Sequence, residues 1–140
     1  MPELPEVETT RRGIESYLLD SLIESVEVRN GRLRWPVPEN IEGLESKQVL
    51  KVLRRGKYII FEFDDGAIII HLGMSGSMRI EQAGNEFKKH DHVIFYLSSE
   101  LHIRFNDPRR FGCMLWAENS EQHPLLQQLG PEPLSLQFDG

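Results

Sequence analysis

Lys57-Tyr-Ile-Ile-Phe-Glu-Phe-Asp-Asp-Gly-Ala-Ile-Ile-Ile-His-Leu72 decides the fold class. β-branched and aromatic residues fill both ends of this stretch, and Asp64-Asp65-Gly66 between them is a turn signal. It therefore reads as a hairpin of two strands, 57–63 and 67–72. By alternation Lys57, Ile59, Phe61 and Phe63 share one face of the first strand, and Tyr58, Ile60 and Glu62 share the other. Lys57 then ends a core-facing row and is expected at a cleft margin, partly desolvated. The plain alternative is a strand-end lysine that discourages edge pairing.

The same period of two continues on either side. Upstream, alternation runs from Leu22 through Ser25-Val26-Glu27-Val28-Arg29 to the turn Asn30-Gly31, and residues 49–53 form another strand. Downstream, Gly73 and Gly76 bracket a turn, residues 83–89 form a polar loop, and strands fall at 77–80, 92–97, 101–105 and 113–117. Short connections make these strands antiparallel. Before them, Val7, Ile14 and Leu18 recur on one face of a helix that reaches about Leu19, with Pro5 and Glu6 suited to its first turn. After them, Asn119-Ser120 can cap a second helix with Leu125, Leu126 and Leu129 on one side and Gly130 at its end. The expected fold is α+β and mostly β: an antiparallel β-sandwich of about eight strands flanked by an N-terminal helix and a second, C-terminal helix. Residues 1–133 form the domain, and 134–140 begin a linker.

With 140 residues, 39% hydrophobic and 27% charged, the chain can bury one proper core. No apolar run reaches the length of a membrane span, and the glutamate-rich start does not suit a secretory signal, so a cytoplasmic location is expected. Cys113 is the only cysteine, which excludes an internal disulfide framework and a multi-cysteine zinc site. The net charge of −6 argues against a bulk nucleic-acid binder. The whole acidic excess falls after residue 57, however, and any basic surface must be local, built from Arg54, Arg55, Lys57, Arg109 and Arg110.

Pro2 carries the sharpest chemistry. Loss of Met1 would expose a secondary amine, and a free α-amino group titrates at roughly 7.7–8.0. A neutral amine can attack an aldehyde carbon and form an iminium. Glu3 and Glu6 lie beside it and could move a proton. The plain alternatives are a proline that merely begins a chain and acids that stabilise a helix dipole. Met74, on the glycine-flanked turn after His71, could act as an apolar wedge between bases or fold onto the core. In Asn106-Asp-Pro-Arg-Arg-Phe-Gly112, Arg109 and Arg110 could contact phosphate or a base edge, and Phe111 could stack or wedge. His90-Asp91-His92 has a spacing that could hold zinc, but no third ligand is evident. A solvent-facing His90 available to phosphate fits better, and no metal is expected.

Taken together, the start Met1-Pro-Glu-Leu-Pro-Glu-Val-Glu-Thr9, Asn30-Gly-Arg-Leu-Arg-Trp-Pro36, Arg54-Arg-Gly-Lys-Tyr58, His71-Leu-Gly-Met-Ser-Gly76, Lys89-His-Asp-His92, Asp107-Pro-Arg-Arg-Phe-Gly112 and Leu129-Gly-Pro-Glu-Pro-Leu134 resemble the bacterial formamidopyrimidine-DNA glycosylase family. The Pro-Glu-Leu-Pro-Glu opening differs from the related endonuclease VIII group. The resemblance implies a bifunctional base-excision repair enzyme that removes 8-oxoguanine and formamidopyrimidines and cleaves the abasic strand by β,δ-elimination. It implies Pro2 as the nucleophile, Glu3 as the acid/base, Glu6 as a supporting carboxylate and Lys57 as the strand-cleavage lysine touching a phosphate. His71, Met74, His90, Arg109, Arg110 and Phe111 would contact damaged double-stranded DNA. The family's helix-two-turn-helix domain and four-cysteine zinc finger are missing from the sequence. No cofactor is therefore expected in this chain, and weak activity is expected of it alone. The resemblance further implies a monomeric enzyme in the bacterial cytoplasm, at the nucleoid. Two other readings stand beside it: a folded but inert interaction module, and a proline-based catalyst acting on a small metabolite.

Overall fold

The computed structural model describes residues 4–29, 37–73, 76–109 and 112–118. Among them nine strands form two antiparallel sheets, in agreement with the expected sandwich. The five-stranded sheet has the order β2 (Lys47–Gln48), β1 (Leu22–Val28), β7 (Asp91–Leu97), β8 (Leu101–Asn106), β6 (Ser77–Gln82). The four-stranded sheet has the order β3 (Lys51–Arg55), β4 (Tyr58–Phe63), β5 (Gly66–His71), β9 (Cys113–Ala117). Helix α1 (Leu4–Leu19) packs on β3 of one sheet and β6 of the other. The one-turn α2 (Glu39–Glu42) packs on β1 and β9, so both helices reach across from sheet to sheet.

The hairpin that set the fold class forms as read. Phe63 pairs with Gly66 around Asp64–Asp65, and the register runs back to Tyr58 opposite His71. Ile59, Phe61 and Phe63 enter the core between the sheets, with Ile68, Ile70, Val93, Phe95, Ile103 and Phe105. There Phe61 meets Phe95 edge to face at 5.7 Å. Ile60, Ala67 and Ile69 join Leu53 and Ala117 in a second buried cluster. Because both of its faces are covered, residues 67–70 of β5 are apolar without alternation.

Two kinds of feature depart from the sequence reading. Strand β2 and helix α2 are too short to leave a periodic signal. Two bulges break alternation: Ile23 pairs with Leu97 but Ser25 with Tyr96, and Asp91 pairs with Asn106 but Val93 with Phe105. The helix expected at 119–130 and the linker at 134–140 lie outside the described residues. The polar loop after β6 is held by Arg104, which is fully buried. Its guanidinium donates to the carbonyls of Asn85 and Glu86 and lies 4.3 Å from the centre of the Phe87 ring.

Phe61 fills the centre of the main core with no exposure. Phe61→Ala should therefore lower stability by about 3–5 kcal/mol, read as a fall in the urea midpoint with an unchanged slope.

Candidate nucleic-acid interface

Strand register gathers the candidate residues at one end of the sandwich. Arg55 pairs with Tyr58, Tyr58 with His71, and His71 with Cys113, giving one row across the four-stranded sheet. Just past that row lie the Gly56–Lys57 turn, the 72–76 connection and Gly112. In the other sheet Ser77 pairs with Asn106 and Asn106 with Asp91. Just past this second row lie Gly76, Asp107 and His90. The connection from β5 to β6 and the one from β8 to β9 therefore both cross between the sheets here.

Helix α1 begins at the same end, because it runs antiparallel to β3. Arg54 Nε donates to Glu8 Oε1 at 3.0 Å, Arg11 Nη1 to the Val52 carbonyl at 3.1 Å, and Gln48 Nε2 to the Leu19 carbonyl at 3.3 Å. Glu8 is the junction. It accepts from Arg11 Nε and Nη2 at 3.0 and 2.7 Å and from Arg12 Nε at 2.9 Å as well as from Arg54. The Arg11 bonds, opposed by partial burial and reinforced by Arg12 and Arg54, hold the Glu8 carboxyl down from 4.5 to about 2.

Each connection at this end is clasped at its base. The Gly73 N–H donates to His71 Nδ1 at 3.0 Å, which places the His71 ring proton on Nε2, and the Gly76 N–H donates to the Leu72 carbonyl at 2.8 Å. The His71 ring lies 5.1 Å from that of Tyr58. In the second connection, the Gly112 N–H donates to Asp107 Oδ2 at 2.8 Å. A Cβ on Gly112 would lie 2.7 Å from the His71 carbonyl, so only glycine lets the two connections approach this closely. The His92 ring, set on the β7 bulge, bonds through Nε2 to the Asp107 carbonyl at 2.8 Å, and the Asp107 N–H donates to the His90 carbonyl at 3.0 Å.

Asp91 secures the other flank. Arg79 donates to both its oxygens at 2.8 Å, and Asn106 Nδ2 and the Lys88 N–H complete the set. Burial alone would raise its carboxyl, but these donors outweigh burial and keep it well below the usual carboxylate range. His90-Asp91-His92 is thus a structural joint. Its middle residue and His92 point inward, and half-buried His90 stands at the rim.

Lys57, His71, His90 and Arg109 all occur at this end, Lys57 and Arg109 exposed, and Glu6 is exposed in the first turn of α1. Pro2, Glu3, Met74, Arg110 and Phe111 lie outside the described residues. Two expectations need correction. Lys57 does not end the core-facing row. Gly56, with φ 60°, takes the first of two turn positions, so β4 starts at Tyr58 and Lys57 is exposed at the hairpin tip. Arg54 and Arg55 do not supply an outward basic surface: 14% of the Arg54 side chain is exposed, and Arg55 is buried at 9%. The sequence reading also missed Glu8, Arg11, Asp107 and Asp91. Asp107 and Asp91 stand inside motifs that were singled out for their neighbours. Arg11 falls four residues after Val7 on the Val7–Ile14–Leu18 stripe, which marks it as buried.

Among the described residues no group of three or more His, Cys, Asp or Glu is placed to hold a metal ion. No described helix is long and apolar enough to cross a membrane.

Residues 1–114 match a family model described as the formamidopyrimidine-DNA glycosylase N-terminal domain. Over the whole chain, identity is 55% to the formamidopyrimidine-DNA glycosylase of Methylococcus capsulatus and 56% to that of Shigella dysenteriae. In both cases the chain covers 52% of the relative, so it spans about half the length of the curated relatives it matches. Lactococcus lactis FPG in complex with a FAPY-dG-containing DNA superposes with a TM-score of 0.79 at 30% identity, over 90% of this chain and 48% of that one. The same protein with abasic-site DNA gives 0.81 at 31%, over 91% and 47%.

The depressed Glu8 carboxyl stabilises the fold fully above about pH 4.5, and this contribution is lost as pH falls toward 2. Glu8→Gln should flatten the acid limb of the stability profile across that window and should cost roughly 1–3 kcal/mol at neutral pH, because Arg11 is left short of its partner. Urea midpoints measured from pH 7 down to 2.5 check both.

Proposed function

The chain belongs to the formamidopyrimidine-DNA glycosylase family, and from that premise we propose that it is the catalytic, amino-terminal half of a base-excision DNA glycosylase with strand-cleaving activity. The observation that supports this most directly is the gathering of the α1 start, Lys57, His71, His90 and Arg109 at one end of the sandwich. A site assembled this way suits a nucleotide turned out of its duplex, since the reacting sugar carbon is inaccessible inside a stack.

In this reading Met1 is removed and the Pro2 nitrogen lone pair attacks C1′ of the damaged nucleotide. The bond from C1′ to the base breaks, and its electron pair leaves with the base, which takes up the proton the Pro2 nitrogen gives up. Glu3 protonates the sugar ring oxygen as the ring opens. Nitrogen and C1′ are left joined as an iminium. Loss of a proton next to that iminium expels the 3′ phosphate, and a second elimination expels the 5′ phosphate. Glu6 supports the acid/base pair by its charge. Lys57 holds the flanking phosphate from the exposed hairpin tip. Met74, Arg109 and Phe111 fill the gap left by the extruded nucleotide, with Arg109 toward the orphaned cytosine, and His71, His90 and Arg110 contact the strand.

The substrate is damaged double-stranded DNA carrying 8-oxoguanine or formamidopyrimidine. Support for that class comes from the relatives' names and from the FAPY-dG and abasic-site DNA in the matching complexes. The enzyme acts as a monomer in the bacterial cytoplasm, at the nucleoid. The zinc of the family belongs to a four-cysteine finger. This chain cannot build such a site, having only Cys113, which is buried in β9, and no step above runs through a metal.

Borohydride trapping tests the reading. A full-length protein lacking Met1 should form a covalent adduct with abasic-site DNA, and blocking the Pro2 nitrogen should abolish it. An adduct that persists after blocking, or none from the unblocked enzyme, overturns the mechanism.

A second reading, that this chain alone is an inert module, draws on its −6 charge and on the inward Arg54 and Arg55. If Lys57 and Arg109 supply most of the phosphate contacts, the slope of log K against log salt should be shallow, about −2 to −3. Anisotropy titrations of the 140-residue chain measure it, and no binding at any salt concentration favours the inert module.

A further inference from the structure

Arg54 opens Arg54-Arg-Gly-Lys57, a motif of which only Lys57 has a chemical role above. Its side chain is 14% exposed and reaches both α1 and the turn after β3. Nε donates to Glu8 Oε1 at 3.0 Å, about one turn into α1. Nη1 donates to the Gly56 carbonyl at 2.9 Å, on the residue immediately before Lys57. One guanidinium therefore ties the helix that begins at the candidate site to the turn that carries the candidate lysine.

We infer that Arg54 is a positioning residue that fixes the Lys57 turn relative to the start of α1, and with it the spacing between the amine end of the chain and the flanking phosphate. The inference rests on the proposed roles of Pro2 and Lys57. Arginine suits this task because its rigid fork presents separate donors in fixed directions, whereas a lysine ammonium on a flexible stem would satisfy one acceptor at the expense of the other. Helix α1 keeps its own anchor to β3 through Arg11 and the Val52 carbonyl. Losing the Arg54 fork therefore removes this tie between the turn and α1 without releasing the helix, and the effect should appear in the covalent step more than in folding.

The test uses full-length protein without Met1, abasic-site duplex DNA, single-turnover borohydride trapping and Kd from anisotropy. Arg54→Lys is expected to unfold cooperatively, to bind DNA within about twofold of wild type and to trap about tenfold more slowly, as a small misplacement of a reacting group would dictate. In a Lys57→Ala background the same change should slow trapping by less than about twofold, because no lysine remains to be positioned. Glu8→Gln, which weakens the helix side of the link, should slow trapping by itself but add little to Arg54→Lys. Equal slowing by Arg54→Lys with and without Lys57, or slowing fully explained by weaker DNA binding, overturns the positioning role. Wild-type trapping that Arg54→Lys leaves unchanged sinks this inference alone, whereas no trapping by wild type sinks the functional reading beneath it.

Discussion

The carboxylate of Glu8 is the constraint on which the candidate site depends. It takes donors from Arg11, Arg12 and Arg54, and through them joins a helix to the edge of a sheet. A buried guanidinium such as Arg11 is costly to desolvate, and an acid with several donors offsets that cost where a lone ion pair would not. The geometry is directional as well as attractive. Val7, Ile14 and Leu18 bury one face of α1 and would tolerate some sliding, since apolar contact is indifferent to register. The Arg11 bond to the Val52 carbonyl and the Arg54 bond to Glu8 are not indifferent, and they fix where along β3 the helix begins.

The rest of the site follows from topology. Two connections change sheets at the same end, and each closes its base with a hydrogen bond from a glycine N–H. For the first the acceptors are His71 Nδ1 and the Leu72 carbonyl, and for the second the Asp107 carboxylate. Asp107 is fully buried and also takes the His92 bond on its carbonyl, so the tip residue Arg109 projects from a fixed base. Polar closures suit this position. An apolar base would need more chain to bury itself, and a longer connection would leave the exposed residues less well placed.

Much of this was legible in the sequence, for identifiable reasons. Long apolar alternation in 57–72 announced the hairpin, and Asp-Asp-Gly announced its turn, because strand and turn chemistry act locally. Several of the motif stretches meet at one end of the molecule even where the reading of an individual residue fails. Lys57 was placed on the strand because alternation extends smoothly through it. What moved it to the tip is the positive φ of Gly56, which a hydrophobic pattern does not encode. His90 and His92 keep neighbouring rings, 5.9 Å apart and edge to face, but His92 is committed to the Asp107 carbonyl, a contact fifteen residues away that the short spacing does not announce. An arginine is ordinarily a surface residue, and the inward course of Arg54 depends on Glu8, forty-six residues away in sequence. Contacts of that separation leave no periodic trace.

That pattern separates two kinds of motif residue. Lys57, His90 and Arg109 reach solvent or the rim, where a ligand can meet them, while Arg54, Asp91, His92 and Asp107 turn inward and satisfy backbone or charged groups. In each case the outward residue lies within three positions of an inward one. The short chain between them leaves little freedom once the inward partner is fixed. The inward residues therefore carry information about the site although they would touch no substrate. A substitution at one of them should act on geometry, and a substitution at its exposed neighbour should act on chemistry.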